Sequence, residues 1–395
     1  MAIADSVRQN MAESSWIRRM FEIGIALKQE RGEEHVFDLS LGNPVVEPPP
    51  QFTQELQRLV NEPVPGAHRY MPNAGFTDTR KAVADELGSE TGLPYTAAQV
   101  MMSVGAGGGI NVALHALLDP GDEVIILTPY FAEYLFYVTN HQGIPVIVGC
   151  DDAFNPDLQE LESKLTSRTK AMLLNVPNNP SGAIFSPELL QDLAQLLERK
   201  GRELGTEVFI ISDEPYRKII FDNHSYPFPQ IVYERTITVS SHSKDLALPG
   251  ERIGYVAIHP AYADGAVLMD AFIFCNRVLG FVNAPALMQR VVQALQGVTV
   301  DVAAYQRKRD FLHGQLTGMG YQVFKPQGAF YMFPKSPVDD EMVLVDALQQ
   351  HGVLVVPGKG FGLPGYFRIS FCVEDKTLEG AIEGFQAVAQ ELGVA

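Results

Sequence analysis

Two charged residues occur where apolar, β-rich segments of the sequence end, and their types suit acid–base and carbonyl chemistry. Asp213 follows the run 207–212, and Lys244 follows the run 236–240 within the segment Ser-His-Ser-Lys. In an open α/β sheet, ligands bind at the carboxyl ends of the strands. Apolar residues after Lys244 predict a desolvated side chain, and burial favours the free amine needed for Schiff-base formation. A capping acid and a surface lysine are the ordinary alternatives.

Two arginines and a glycine-rich turn indicate that anions bind near these residues. Arg252 follows Lys244 by eight residues, and Arg368 lies between a phenylalanine and an isoleucine in a predicted strand. A guanidinium in such a strand is costly unless it has an anionic partner. The segment 104–110 follows a predicted strand and begins a predicted helix, where free backbone N–H groups form an anion site. A tight turn with a purely structural role is the alternative for this segment.

The elements that position these residues follow from seven short runs rich in valine and isoleucine. Because the runs are almost continuously apolar, they predict strands buried on both faces in a mostly parallel, helix-covered sheet. The fold class is therefore α/β, with a large domain at 46–285 that contains this seven-stranded sheet. The runs are 100–104, 123–127, 145–148, 171–176, 207–212, 236–240 and 254–258.

The remaining sequence predicts a smaller α/β domain formed by residues 1–45 and 286–395. Its C-terminal part begins with a long amphipathic stretch, 285–316, and ends with a helix from about residue 375. Between them lie four predicted strands, 321–324, 330–333, 353–356 and 367–371. The first forty residues are typical of a helix followed by a loop, and we expect them to pack on this domain.

Composition and charge exclude several classes of protein. The 395 residues carry 30 Lys and Arg against 47 Asp and Glu, a net charge of −17, which disfavours binding to nucleic acid or to an anionic membrane surface. We find no apolar run long enough for a membrane span and no signal-peptide core. Three widely spaced cysteines fit neither a metal knuckle nor a disulfide framework, so we expect a cytoplasmic protein.

Several common catalytic motifs are absent. The glycine-rich segment fails the dinucleotide pattern G-x-G-x-x-G, because Ile110 or Val112 occupies the position of the third glycine. The sequence also lacks a phosphate-binding P-loop, the G-x-S-x-G serine motif and the H-E-x-x-H zinc motif. We therefore expect no metal site, and the nucleotide, serine hydrolase, zinc hydrolase and nicotinamide dehydrogenase interpretations lose their main support.

Taken in order, the remaining motifs resemble those of the class I/II aminotransferases, a family that uses pyridoxal 5′-phosphate. The resemblance covers nearly the whole chain and depends on the order and spacing of the motifs. They are Leu41-Gly42-Asn43-Pro44, Tyr70 ahead of Gly75, Asp119-Pro120-Gly121-Asp122, Asn179-Pro180-Ser181-Gly182, Asp213-Glu214-Pro215-Tyr216, Ser241-His242-Ser243-Lys244, Arg252-Ile253-Gly254-Tyr255 and Arg368.

The resemblance implies a role for each residue around the cofactor ring. Lys244 would form the Schiff base with the cofactor aldehyde and shuttle a proton. Asp213 would keep the pyridine nitrogen protonated, and Asn179 and Tyr216 would hydrogen-bond the phenolic oxygen. Tyr130 would stack on the ring, with an ordinary sheet-edge aromatic as its alternative. The Asn179–Pro180 bond matches a position that is often cis in the family.

The resemblance also implies how the two anionic groups are bound. The phosphate would lie on the turn that contains Gly105, Ala106 and Gly107, with the side chains of Ser241, Ser243 and Arg252 around it. The family commonly has a serine, threonine or lysine side chain in this turn, whereas this chain has Gly107-Gly108-Gly109. The substrate α-carboxylate would bind Arg368, assisted by Gly42 and Asn179.

A shared site in a homodimer is implied by Tyr70. It resembles the tyrosine that this family donates to the phosphate in the neighbouring subunit. If the roles match, two copies of this chain build each active site.

The resemblance implies an amino acid and a 2-oxo acid as substrates that use one site in turn, in a ping-pong reaction. Aspartate or a related amino acid would need a second cation, and Arg277 lies in the segment where aspartate enzymes often have one. An ordinary surface arginine is the alternative for Arg277. Phe131, Phe136 and Phe281 are compatible instead with a pocket for alanine or aromatic substrates. A carbon–sulfur β-lyase of the same fold remains a further alternative.

Overall fold

The computed structural model describes residues 2–12 and 16–394 of the chain. Seven strands form one sheet in the order β2-β8-β7-β6-β5-β3-β4, in which only β8 runs antiparallel to its neighbours. The mostly parallel seven-stranded sheet is thus confirmed. The strands of the described chain are β1 Phe37–Asp38, β2 Val100–Ser103, β3 Glu123–Leu127, β4 Ile144–Val148, β5 Thr169–Asn175, β6 Phe209–Asp213, β7 Thr236–Ser241, β8 Gly254–Ile258, β9 Tyr331–Met332, β10 Val353–Leu354, β11 Val356–Pro357 and β12 Phe367–Ser370.

Helices cover both faces of this sheet and the smaller sheets. Fifteen α-helices lie within the described residues: α1 Asp5–Ala12, α2 Trp16–Arg31, α3 Pro50–Asn61, α4 Thr77–Thr91, α5 Gly105–Leu117, α6 Glu133–Asn140, α7 Leu158–Lys164, α8 Pro187–Leu204, α9 Pro229–Val232, α10 His242–Asp245, α11 Gly265–Val278, α12 Ala286–Gln293, α13 Val302–Gly318, α14 Glu341–Gln350 and α15 Asp375–Glu391. Local sequence fixes their ends. For α8, the Ser186 hydroxyl accepts a bond from the Leu189 N–H, and Gly205 ends the helix at φ 65°.

Strand β3 shows why the apolar runs are continuous. Val124 and Ile126 pack into the core under α5, α6 and α11, whereas Ile125 and Leu127 pack into the core under α7 and α8. Successive side chains of a strand point to opposite faces, so a strand covered on both faces needs apolar residues at every position. The strong signal in the sequence therefore came from burial on both sides.

The N-terminal segment joins the C-terminal part of the chain through backbone pairing. Strand β1 pairs in parallel with β10, and Leu39 lies in the same apolar cluster as residues of α13, α14 and α15. Strands β11, β12 and β9 form a separate antiparallel sheet in that order. Arg368 lies on its central strand, β12.

Several boundaries differ from the sequence-based expectation. The expected strand 353–356 is in fact two strands, β10 and β11, which belong to different sheets. Residues 321–324 form no strand, because Tyr321 N is bonded back to Leu316 O of α13 and the described segment has a single main-chain bond to another part of the chain, from Lys335 N to Gln322 O.

Helix α12 packs with α4 beside the large sheet through Met288 and Val292. Helix α12 therefore packs with the large sheet, whereas the sequence suggested a domain boundary before this helix, at 285/286. The two-domain division itself stays a prediction.

None of the helices in the described ranges has both the length and the apolar character needed to cross a membrane.

Candidate active site

The residues singled out by chemistry meet at the carboxyl edge of the large sheet. Asn175 ends β5 beside Asp213, which ends β6, and Asp213 pairs in turn with Val239 of β7. Lys244 lies in α10, which follows β7 directly. Because parallel strands end at the same edge, neighbouring strand ends bring side chains together that are far apart in sequence.

A cavity of about 280 Å³ opens at this edge. It collects eleven of the residues that the sequence predicted for the site, from both the large sheet and the C-terminal sheet. They are Gly42, Ala106, Gly107, Asn179, Asp213, Tyr216, Ser241, Ser243, Lys244, Arg252 and Arg368.

The Lys244 amine is prepared for attack on a carbonyl. Its Nζ atom donates a 2.6 Å hydrogen bond to the carbonyl oxygen of Gly42 and lies 5.3 Å from the centre of the Phe330 ring. Burial, together with the cations of Arg368 and Arg252, lowers the pKa of Lys244 to about 8. A substantial fraction of the lysine is therefore neutral near pH 8, and the neutral amine is the nucleophile.

The Asp213 carboxyl group is buried and has one oxygen available for a partner. Its Oδ2 atom accepts a 2.5 Å hydrogen bond from the Tyr134 hydroxyl. Its Oδ1 atom is buried and receives no hydrogen bond from the described residues. Burial raises the pKa of Asp213 to about 6, against the opposing effect of the Tyr134 hydrogen bond. Since an unpaired buried carboxylate oxygen is costly, this atom calls for a protonated partner.

The Arg368 guanidinium faces the cavity from β12 with no carboxylate paired to it among the described residues. It donates a 3.0 Å hydrogen bond to Asn179 Oδ1 and another to the carbonyl oxygen of Ser40. Its Nε atom is buried without a partner in the described chain, and burial lowers the pKa of Arg368. A buried guanidinium with an unused N–H suits a planar carboxylate ligand.

Asn179 is held in place by its own loop. Its backbone N–H donates a 2.8 Å hydrogen bond to Asn175 Oδ1, and Asn175 Nδ2 donates to the Asp213 carbonyl oxygen at 2.9 Å. The Asn179–Pro180 peptide bond is cis, as the resemblance suggested. These contacts tie the residue beside Arg368 to the strand that carries Asp213.

Tyr216 and Tyr331 form a buried pair along the cavity wall. Their hydroxyl oxygens lie 3.0 Å apart, and burial raises the pKa of Tyr216 well above its usual value. Gly42 passes so close that a Cβ atom there would lie 1.8 Å from the Tyr331 hydroxyl oxygen. Only glycine fits at this position. The Gly42 backbone, whose carbonyl oxygen accepts the hydrogen bond from Lys244, can therefore lie next to Tyr331.

The first turn of α5 forms the anion-binding end of the cavity. Ala106 and Gly107 line it, and no side chain caps the free N–H groups of this turn. The buried Ser241 and Ser243 hydroxyl groups and the Arg252 guanidinium face the same space. Gly105 lies behind the lining at φ 66°, where a Cβ atom would come 2.6 Å from Arg252 Nη2. Gly105 thus makes room for Arg252 and does not itself line the cavity.

Besides Gly105, three predicted site residues lie outside the cavity of this chain. The sequence placed Tyr130 on the cofactor ring, but the lining residue is its neighbour Phe131, because the Tyr130 backbone binds Phe361 and its ring packs beside Gly362. Tyr70 is 92% exposed. Arg277 is exposed near the end of α11, with its guanidinium 5.7 Å from the Phe274 ring centre.

Sequence reasoning also missed several lining residues. Tyr134 and Tyr137 share one face of α6, and their spacing of three residues in a predicted helix was the available signal. The others lack a recognisable pattern, because their chain neighbours do not show which way they face. The missed lining residues are Ile110, Tyr134, Tyr137, Asn175, Pro215, Pro249 and Tyr331, whereas Phe131 was expected as a pocket residue and lines the cavity.

A larger cavity elsewhere in the molecule lacks comparable chemistry. It measures about 670 Å³ and opens between the N-terminal segment and the start of α15, near Phe37 and Lys376. It contains none of the residues that converge around Lys244. Within residues 2–12 and 16–394, no group of three or more His, Cys, Asp or Glu side chains is arranged to hold a metal ion.

Comparison with known proteins identifies the family. The sequence pattern of the family described as "Aminotransferase class I and II" matches residues 34–385. The chain belongs to the class I and II aminotransferases. It is therefore a transaminase that depends on pyridoxal 5′-phosphate, as the sequence resemblance implied.

Individual relatives agree with this assignment to the aminotransferases. The chain is 32% identical to an aspartate/prephenate aminotransferase of Thermus thermophilus, over 92% of this chain and 93% of that protein. It is 30% identical to aromatic-amino-acid aminotransferase 2 of Thermococcus litoralis, over 99% of each chain. Both names are those of transaminases, and they give the β-lyase alternative no support.

Solved structures show the same fold. A crystal structure of an amino transferase from Eubacterium rectale has a TM-score of 0.95 and 37% identity, and the match covers 99% of each chain. Aspartate aminotransferase from Thermus thermophilus with maleate has a TM-score of 0.86 and 28% identity, over 98% of this chain and 100% of that one. The seven-stranded sheet and the smaller sheet of this aminotransferase match that fold.

The cavity of this aminotransferase fits pyridoxal phosphate. The buried Oδ1 atom of Asp213 has no hydrogen-bond partner among the described residues, and the protonated ring nitrogen would supply one. The uncapped turn at Ala106 and Gly107 suits the phosphate, and the lowered pKa of Lys244 suits the aldehyde.

Proposed function

We propose that this aminotransferase moves the amino group of aspartate, or of a related amino acid, to a 2-oxo acid within the cavity around Lys244. The observation that carries this proposal is the meeting of three groups in one cavity. These are a lysine of lowered pKa, a buried carboxylate with an unpartnered oxygen and a buried arginine with no paired carboxylate in the described chain.

Each residue near the ring has a defined task in this proposal. Pyridoxal phosphate, when bound, supplies the electron sink that stabilises negative charge at the substrate α-carbon. Lys244 removes the proton from that carbon, and Asp213 holds the ring nitrogen protonated. Asn179 and Tyr216 would hydrogen-bond the phenolic oxygen of the ring, and Phe131 would lie against the ring, since all three line the cavity.

The two anionic groups bind at opposite ends of the cavity. Ala106 and Gly107 would hold the phosphate through their backbone N–H groups, together with Ser241, Ser243 and Arg252. Arg368 binds the substrate α-carboxylate in the bidentate geometry of a guanidinium, and its bond to Asn179 keeps the guanidinium plane fixed. Water is excluded at this end because Arg368 is buried between the Tyr331 and Phe361 rings, at 4.6 and 4.8 Å from their centres.

Aspartate needs a cation for its second carboxylate, and we propose Arg277 for this task. The cations that line the cavity are Lys244, Arg252 and Arg368, and each already has another task. Arg277 is exposed outside the cavity of its own chain, so it would have to serve the cavity of a second copy. Relatives named aspartate aminotransferases support this substrate, as does the Thermus structure that contains maleate, a dicarboxylate.

We expect Arg277→Ala to lower kcat/KM for aspartate by about 10- to 100-fold, the usual range for a lost charge-assisted hydrogen bond. Activity with phenylalanine should change little, because its side chain has no carboxylate. The rate of the first half-reaction, measured by stopped-flow absorbance with each amino acid separately, tests this. Arg307→Ala is the matched control, since Arg307 is exposed on α13 and pairs with Asp301 at 3.6 Å. Equal losses for aspartate and phenylalanine would contradict the role of Arg277.

An aromatic amino acid is the second candidate substrate. Phe131, Ile110 and Tyr331 give the cavity an apolar wall, and one relative is named an aromatic-amino-acid aminotransferase. The same half-reaction measurement distinguishes the candidates, because a preference for phenylalanine in the unmodified enzyme would favour the aromatic one.

We propose that the active unit is a homodimer whose sites are shared. Tyr70 is 92% exposed, and α11 exposes the large apolar side chains Val267, Phe274 and Val278. A 3.4 Å hydrogen bond from Asn276 Nδ2 to the Asn73 carbonyl oxygen joins the loop that follows Tyr70 to α11. Exposed apolar surface of this kind is typical of an interface. A second copy placed here would receive Tyr70 at its phosphate site.

Hybrid dimers test this sharing. We expect Tyr70→Ala and Lys244→Ala homodimers each to be impaired, whereas a mixture refolded together should regain activity. One site of each hybrid dimer then combines Lys244 from one chain with Tyr70 from the other, so the hybrid should reach about half of the native rate per dimer. If Tyr70 served its own chain, no site in the hybrid would be intact and the mixture would stay impaired. Hybrids are separated by differently charged tags before the assay.

A cytoplasmic location completes the proposal. Cys150, Cys275 and Cys372 are all free thiols, as is usual in a reducing compartment. Cell fractionation that finds the protein outside the cytoplasm would contradict it.

A further inference from the structure

The phosphate turn of this aminotransferase has no side chain that donates a hydrogen bond. Its first residues are Gly105, Ala106 and Gly107, followed by two more glycines. The space beside Gly107 is nevertheless filled. A Cβ atom added to Gly107 would lie 3.0 Å from the hydroxyl oxygen of Tyr137 and 3.7 Å from its Cζ atom. Tyr137 therefore places a hydroxyl group where a short polar side chain at position 107 would place its own.

Tyr137 reaches this position from α6, on the same helix face as Tyr134. The two rings lie 6.5 Å apart, and Tyr134 binds Asp213 at the other end of the cofactor site. Both tyrosines line the cavity. One face of α6 thus presents two hydroxyl groups to the cavity, and only one of them has a partner among the described residues.

The Tyr137 hydroxyl group can donate a hydrogen bond to a ligand in the cavity. No described group hydrogen-bonds it, although most of the side chain is removed from solvent. Burial raises the pKa of Tyr137 to about 12, with further contributions from Glu133 and Asp213, and Arg252 acts in the opposite direction. The phenol therefore keeps its proton throughout the neutral range. A donor on the wall of a cavity gains most from an acceptor that is charged.

We propose that Tyr137 donates a hydrogen bond to the phosphate of the cofactor and replaces the side-chain donor that the glycine-rich turn lacks. This inference rests on the proposed placement of the phosphate at α5. Tyr137 and Gly107 then act as a matched pair, because a larger residue at 107 would collide with the hydroxyl group. Tyr137 is a cofactor-positioning residue and takes no part in proton transfer.

Cofactor affinity tests the inference independently of turnover. The cofactor is first removed from the holoenzyme. The resulting apoprotein is titrated with pyridoxal phosphate and, separately, with pyridoxal, which lacks the phosphate. We expect Tyr137→Phe to raise the apparent Kd for pyridoxal phosphate by about tenfold or more, the effect of losing one hydrogen bond to a charged group. The Kd for pyridoxal should stay unchanged. Tyr262→Phe is the control, since that hydroxyl donates to Glu207 at the surface.

A second variant distinguishes the hydrogen bond from packing. The double variant combines Tyr137→Phe with Gly107→Ser. It lacks the tyrosine oxygen, so the Cβ atom at position 107 makes an ordinary van der Waals contact with the ring at position 137. We expect this double variant to regain most of the lost affinity, whereas Gly107→Ser alone should weaken binding. Restored affinity also shows that the single variant folds.

Three outcomes would overturn the inference. They are an unchanged Kd for pyridoxal phosphate in Tyr137→Phe, an equal loss for pyridoxal and pyridoxal phosphate, and no recovery in the double variant. A native enzyme that bound neither ligand would instead refute the proposed cofactor site, and with it this inference.

Discussion

Lys244→Ala is expected to abolish transamination, with a loss of at least about 10⁴-fold in kcat, the upper range for removal of a general acid–base group. No other lysine lines the cavity, so no neighbour within the described chain replaces its amine. Steady-state assays with aspartate and a 2-oxo acid measure the loss. After borohydride treatment, the native protein should retain the cofactor chromophore through denaturation, and the variant should release it.

Lys376→Ala provides the control for this variant. Lys376 is exposed, pairs with Glu374 at 2.7 Å and does not line the cavity around Lys244. Its removal should leave both turnover and the reducible linkage intact. A Lys244→Ala protein that still held the chromophore covalently after reduction would show that another residue carries the cofactor.

Asp213→Asn is expected to lower kcat by about 10²- to 10³-fold, the range for loss of one preorganised electrostatic contact in an active site. The amide keeps the shape of the side chain and a hydrogen-bonding atom for Tyr134. It cannot hold a proton on the ring nitrogen by charge, so the electron sink weakens. Steady-state kinetics measure the loss, and Asp192→Asn on the surface of α8 is the control.

Stability measurements separate this effect from a structural role of Asp213. Burial raises the folded-state pKa of Asp213 from 3.8 to about 6. The unfolded chain therefore ionises first as pH rises from about 4 to about 6, and folding of the apoprotein loses stability across that window. The loss persists above pH 6 and is absent from the neutral amide. We thus expect the Tm of Asp213→Asn apoprotein at pH 8 to equal or exceed that of the native apoprotein. A large fall in Tm together with the fall in kcat would indicate a structural role.

The large sheet was predictable because its strands have a strong local signature. Residues such as Val124 and Ile125 are buried on opposite faces, so the sequence is apolar without interruption. Asp213 and Lys244 interrupt that pattern at strand ends, which made them recognisable as site candidates. The segment 321–324 contains Tyr321, Val323 and Phe324 but lacks strand partners, and pairing between strands is a tertiary property that a local pattern does not specify.

The missed parts of the site depend on orientation. Tyr130 and Phe131 are both aromatic and adjacent, and only the turn of the chain beside Phe361 decides which of them lines the cavity. The Tyr137 hydroxyl group occupies space that is free because Gly107, thirty residues earlier, has no side chain. Such a complementary pair has no fixed spacing, so it emerges only from the folded structure.

The central claim is that the cavity around Lys244 stores an amino group, and a single-turnover measurement tests it most directly. The native enzyme is mixed with excess aspartate and no 2-oxo acid acceptor, and released oxaloacetate and ammonia are both quantified. We expect about one oxaloacetate per chain, no ammonia and then arrest, because the amino group remains on the cofactor. Continued turnover with release of ammonia would contradict it and would indicate a lyase or a deaminase.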